Sequence, residues 1–363
     1  MQTNAQLAFG PSAEFFRKKG VNPEAKVGQP NGILDHRIAG VAHKVSVPIT
    51  FTSFASARHC SARCIFCSEA LCHKNATTLS ASLRPYANYF DGLSAVLNEL
   101  IGIPLGISLS GLEATDDADW LCETVDRLQQ FEDRGGVATD KVLYSNTSGL
   151  AEHTNGARLI PRLQTYGLTR IEVSRHHFDG GRNQAVMRFR DNDGVGSQNV
   201  FEKTLKDILA NLHVKLVCVI QKIGIANLDD VENYLSWAQR MGVSEVVFRE
   251  FSRTHDLYRE NSTLRAIEDG RVSIESILQE LDATSAHHFE LSGGTIGYYY
   301  WNARYLWKNA LDVIFETSDY ELMKTRHQSD VIYKLIYHAN GNLTGDWDPN
   351  NCVLMKTAGG TNG

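Results

Sequence analysis

Between residues 45 and 251, short β-branched runs alternate with amphipathic helical stretches, and that rhythm confines the chain to few folds. The strand candidates are 45–54 (VSVPITFTSF), 105–111, 141–146, 169–174, 214–222 and 244–251. Each is short and rich in residues that favour a pleated, half-buried surface. Helical spacing fills the gaps, at 86–100, 117–134, 157–167, 200–212 and 227–242. In the first of these, Phe90, Leu93, Val96, Leu97 and Leu100 recur on one face. Acidic residues open the helices at 117 and 227, and Gly242 closes the last, as helix ends favour. Such alternation makes βαβ units and a parallel sheet. Six strands are fewer than a complete eight-unit barrel needs. The expected fold is therefore α/β, a partial (β/α)6 barrel with a small C-terminal α+β extension.

Residues 1–44 are polar and rich in turn formers (Pro11, Gly20, Pro23, Gly28, Pro30, Gly32), and read as an irregular lead-in. The barrel is expected over 45–255 and the extension over 256–363. In the extension, a helix near 272–281 precedes aromatic strand-like runs at 296–307 and 311–317. Asn340-Gly341 then marks a hairpin. This piece is expected to close the open side of the barrel.

In sheets of this kind, ligands gather at the C-terminal ends of the strands. The loop after the first strand carries Cys60, Cys64 and Cys67, a C-x3-C-x2-C spacing. The chain has seven cysteines, and its N-terminus lacks the charged-then-apolar order of a secretory signal. An odd count with three crowded into eight residues points to metal ligation in a reducing, cytoplasmic setting, not to a disulfide framework. Thiolates hold iron–sulfur clusters, normally four per cluster. Three in one loop can hold three irons and leave a fourth open. The alternative is a zinc site completed by Cys72, His59 or His73, although structural zinc motifs usually come as two spaced pairs.

With Phe66 before its last cysteine, the motif resembles the hallmark of the radical S-adenosylmethionine (radical SAM) superfamily. The resemblance covers about 45–255. It implies one 4Fe-4S cluster on Cys60, Cys64 and Cys67, with S-adenosylmethionine on the open iron. It further implies an electron donor such as flavodoxin or ferredoxin, and a 5′-deoxyadenosyl radical that takes hydrogen from substrate. Ser110-Gly111-Leu112-Glu113-Ala114 resembles the family's Gly-Gly-Glu element, with Leu112 in place of the second glycine. Gly111 and Glu113 are thereby implied at the cofactor's amino group. Ser145 and Asn146 resemble a Thr-Asn-Gly stretch after the third strand. Ser174 matches the first residue of the family's Ser-Leu-Asp, whereas Arg175 and His176 depart from it; an arginine there can pair with the cofactor carboxylate. Gln221, Asn227 and Arg249 fit patterns of the molybdenum-cofactor cyclase branch. That branch carries a second cluster in its C-terminal extension, where this chain has only Cys352, so a single cluster is expected and that identity is set aside. Simpler roles stand beside these: Glu113 as a helix N-terminal acid, Asn227 as an N-cap, Arg249-Glu250 as a layer pair.

A single cluster favours redox-neutral chemistry, namely elimination, epimerisation or decarboxylation. His176 and His177, after the fourth strand, are candidate acid–base residues. Cys218 and Cys352 are candidate hydrogen donors for an epimerase, with a buried apolar role as the simpler reading of each. Tyr298-Tyr299-Tyr300-Trp301 is a candidate pocket wall. The net charge of −6 disfavours a nucleic-acid partner. No apolar run approaches the roughly 18 residues of a membrane span. The expected substrate is a small polar metabolite (a sugar, aminosugar or nucleoside). A peptide substrate, or a zinc-binding module without catalysis, is the alternative.

Overall fold

The computed structural model describes residues 10–25, 32–54, 57–76, 79–190, 194–254, 256–284 and 288–357. Its strands are β1 (Glu24–Ala25), β2 (Ile33–Ile38), β3 (Val41–Phe54), β4 (Pro104–Ser110), β5 (Val137–Ser145), β6 (Arg170–Ser174) and β7 (Val214–Val219). They continue as β8 (Glu245–Arg249), β9 (Phe289–Ile296), β10 (Tyr300–Trp307), β11 (Leu311–Ser318), β12 (Val331–Tyr337), β13 (Asn342–Thr344) and β14 (Val353–Lys356). β3 to β8 are the six strands anticipated from the sequence, and each pairs with the next in parallel. The C-terminal residues add a parallel strand to each edge of this set: β12 beside β3 and β11 beside β8. Antiparallel β10 and β9 continue one side, and β13 and β14 the other.

Helices cover one face. Leu93, Val96 and Leu97 from Tyr89–Glu99, with Leu121, Val125 and Leu128 from Ala118–Asp133, are buried in one cluster with Leu105, Ile107 and Leu109 of β4. Side chains alternate across a strand, so Gly106, Ser108 and Ser110 take the other face. Arg170 and Glu172 alternate in the same way with Ile171 and Val173. The second face is thus largely polar, with a small apolar patch of Val217, Val247 and Ile314. Parallel strands covered on both faces read as nearly continuous apolar runs; these strands line a hydrophilic hollow instead.

Side-chain contacts show that the sheet curls. The rings of Tyr333 on β12 and Tyr298 just before β10 stack with centroids 5.1 Å apart. Along the sheet, seven strands separate β12 from β10. Among the described residues no strand pairing joins the two edges, so the barrel stays open and aromatic rings fill the seam.

The N-terminal residues depart from the irregular lead-in expected. Gly10–Lys18 is a helix that sets Phe15 and Phe16 against Trp301, with centroids 5.8 and 6.0 Å away, and β2 forms a hairpin with β3. The aromatic pair supplies the docking that local turn-formers conceal. Lys26 to Asn31, which include Gly28 and Pro30, lie outside the described residues.

Candidate functional site

The cysteine loop leaves the C-terminal end of β3 and is fastened on two sides. On one side Arg63 N donates to the Met187 carbonyl (3.0 Å) and Ile65 N to the Val186 carbonyl (3.1 Å), at the end of the helix Gly180–Met187. Arg190 N returns a bond to the Ser61 carbonyl. On the other side Asp116 accepts from Ser61 N (2.7 Å) and Ser148 Oγ (2.5 Å), and Ser61 Oγ donates to Ser148 Oγ. Cys60 Sγ accepts from Ala62 N at 3.4 Å and Asn146 Nδ2 at 3.6 Å. The three thiols are half-buried. Burial pushes all three above the ordinary thiol value, Cys64 to about 12. Among the described residues, no three His, Cys, Asp or Glu side chains stand grouped as around an ion. The donor set nevertheless suits an iron–sulfur cluster: three thiols in one short loop, shielded from water, with N–H groups aimed at a sulfur.

Glu113 joins the ends of β4 and β5. Its Oε1 accepts from Thr115 N, Thr115 Oγ1 (2.6 Å) and Ser145 Oγ (2.7 Å), and its Oε2 from Asn146 N (2.6 Å). Burial, then the nearby Asp116 charge, raises its carboxyl to about 7 against these donors. Gly111 and Leu112 both take left-handed backbone, φ 90° and 53°. Leu112, where the family pattern has glycine, thus adopts a conformation glycine takes without penalty. Thr147 (φ 70°) and Arg188 (φ 51°) are left-handed as well. Each non-glycine residue of this kind costs roughly 1–2 kcal/mol. Three of them flank the cysteine loop, and strain of this sort collects at functional sites.

The other residues singled out from the sequence divide. Phe66 packs edge-on against His176, centroids 4.8 Å apart, and against Phe251. His176 Nδ1 accepts from Val219 N, and burial lowers its basicity to about 3; it is a neutral wall residue, not a poised acid. His177 Nδ1 accepts from Asp179 N, and burial lowers its basicity too. Arg175 turns into the helical layer, its guanidinium 4.2 Å over Phe201, with Nη2 donating to Gln198 and Nε to the His177 carbonyl. Cys218 faces the helices inside the main core, away from the hollow. Asn227 caps the helix Leu228–Met241, accepting from Asp230 N. Gln221 is buried, bonding weakly to the Val219 carbonyl. Ser174 ends β6 on the same face as Glu172.

Arg249 belongs to an ionic ladder across the hollow. It bonds Glu316 of β11 at 2.6 Å and faces Glu172 of β6 at 4.0 Å. Glu172 bonds Arg170, which bonds Asp140 of β5. Sequence reasoning missed Glu172, Glu316 and Asp116. The alternation of charged and β-branched residues in Arg170-Ile171-Glu172-Val173 was the available sign of a polar inner face.

No protein-family model and no curated protein matches this chain. Solved structures that it resembles include native anSMEcpe with bound AdoMet, at 13% identity and TM-score 0.42 over 55% of this chain and 51% of that one. TYW1 with a lysine-pyruvate adduct bound is another, at 14% identity and TM-score 0.38 over 65% of this chain and 73% of that one. The chain spans about half the length of anSMEcpe. Likenesses at these identities and TM-scores decide nothing about this chain's chemistry.

Proposed function

We propose that this protein is a radical SAM enzyme in which Cys60, Cys64 and Cys67 hold one 4Fe-4S cluster. What carries the reading is the convergence of the cysteine loop with two strand-end turns, through Asn146 on Cys60 and Asp116 on Ser61. When bound, the reduced cluster would supply the electron that cleaves S-adenosylmethionine and so a radical for hydrogen abstraction. The protein's own part is positional. The Glu113 carboxylate ties Ser145 and Asn146 to the end of β4, setting Asn146 to donate to the Cys60 sulfur that would hold the cluster. Glu113 and the turn at Gly111 are assigned to the cofactor's amino group, and Ser174 to the same strand-end layer. The substrate is a small polar metabolite, favoured by the hydroxyl- and charge-lined hollow of Ser108, Ser110, Glu172, Arg249 and Glu316. The reaction is a redox-neutral rearrangement or elimination. Anaerobically reconstituted, reduced protein should convert S-adenosylmethionine to 5′-deoxyadenosine. The Cys60→Ala/Cys64→Ala/Cys67→Ala variant should not. Equal product from both refutes the proposal.

A further inference from the structure

Opposite the ionic ladder, β12 places a lone lysine against the same hollow. Lys334 pairs in register with Thr50 of β3 and is 7% exposed. Among the described residues its ammonium has no hydrogen bond or ion pair. Its neighbours are two rings, Trp347 at 4.1 Å and Tyr299 at 5.8 Å. The acid whose charge reaches it, Asp346, is engaged elsewhere, accepting from Asp348 N and Asn351 Nδ2. The charge of Asp346 reaches Lys334 without pairing it, and the imidazole of His327 senses Lys334 in turn. A buried charge without a partner costs several kcal/mol, and a lysine so placed sheds its proton instead. Burial accordingly brings it down to about 7. A desolvated lysine with a free lone pair is a carbonyl nucleophile.

Tyr299 links the two sides, since it lies within reach of the charges of Arg249 and Glu316 as well as beside Lys334. With Lys334 neutral, Glu172, Glu316 and Asp346 outnumber Arg249, while Arg170 and Asp140 offset one another. That balance repels a carboxylate-bearing ligand. Hydroxyls on β4 and ring faces at the seam suit a neutral polyol.

We propose that Lys334 condenses with a neutral, hydroxylated aldehyde or ketone, holding it as an imine in the barrel hollow between the aromatic seam and the Arg249–Glu316 pair. The amine nitrogen adds to the carbonyl carbon and its proton passes to the carbonyl oxygen. The carbinolamine then loses its hydroxyl and the remaining N–H proton together as water and the C=N bond forms, with no net electron transfer. This needs neither iron nor S-adenosylmethionine, so it stands or falls separately from the cluster assignment.

The test uses the full-length protein with DL-glyceraldehyde and cyanoborohydride at pH 7, followed by peptide mass mapping. An ordinary lysine is almost wholly protonated at pH 7, so Lys334 should be alkylated roughly tenfold or more faster than exposed lysines. Glyoxylate, which carries a carboxylate, should label it less well. Lys334→Met and Lys334→Arg should each remove the label with unchanged circular dichroism; the arginine keeps the charge but does not condense. Modification spread over the exposed lysines with Lys334 spared would overturn the proposal. Faster labelling by glyoxylate would overturn the neutral ligand class.

Discussion

Replacing Lys334 with methionine should stabilise this protein at neutral pH. The lysine is buried beside two rings, among the described residues without a paired anion, and its basicity falls from 10.5 to about 7. The folded state therefore binds fewer protons than the unfolded state between those two values, and stability rises with pH across that window. The full cost applies well below pH 7, and most of it remains at pH 7. At about 1.4 kcal/mol per tenfold change, it amounts to roughly 4 kcal/mol. Methionine keeps the volume and carries no charge, so packing is largely conserved. Loss of the ring contacts returns about 1 kcal/mol. The net gain at pH 7 is then on the order of 2–3 kcal/mol, shrinking toward zero or slightly below by pH 10.5. Urea unfolding of both proteins at pH 7 and pH 10 measures it. A variant less stable than its parent by the same amount at both values would refute the reasoning, because it would mean that Lys334 is charged and paired.

Glu113→Gln should show the opposite pH trend. The carboxyl is raised from 4.5 to about 7, so its contribution is present below pH 4.5 and lost as pH rises through 7. Relative to the parent, the variant should gain about 3 kcal/mol between pH 4.5 and pH 8 in denaturant titrations. Gly149→Ala should be severe, because its Cβ would lie 1.7 Å from the Thr115 carbonyl oxygen; a soluble-expression and melting assay should show a loss above about 3 kcal/mol. Arg249→Gln leaves Glu316 without its cation and Glu172 with Arg170 alone, and should cost on the order of 2–4 kcal/mol in urea unfolding, with loss of any substrate turnover. His176→Ala orphans Val219 N and the Phe66 edge, and should cost about 1–3 kcal/mol.

The βα rhythm made the six central strands legible, because burial against helices imposes a period the sequence must keep. The run at 311–317 that forms β11 was legible, but the places β11 and β12 take beside the central strands were not. Parallel pairing of Phe315 with Phe248 and of Leu335 with Phe51 is a long-range choice with no local signature. Within the site, Cys60 was read from the cysteine spacing and Glu113 and Asn146 from the family resemblance, and the three converge. Arg175 follows the fourth of the central strands but turns into the helical layer as the chain bends toward the helix Gly180–Met187, while His176 stays beside Phe66; the direction of a side chain past a strand end depends on that bend. Cys218 alternates onto the helical face, which a residue count from the start of β7 would have shown. Asn227 took the simpler of its two roles, as an N-cap. Lys334 sits alone in the apolar run Ile332-Tyr333-Lys334-Leu335-Ile336, and such a residue in a strand was the overlooked sign.

Iron content and electron paramagnetic resonance of the anaerobically reconstituted, reduced chain, with and without S-adenosylmethionine, test the central claim most directly. The account predicts about four irons per chain and a cluster signal altered by S-adenosylmethionine. Both should be lost in Cys60→Ala/Cys64→Ala/Cys67→Ala. Stoichiometric zinc with no cluster signal, or iron that survives in the triple variant, would contradict it.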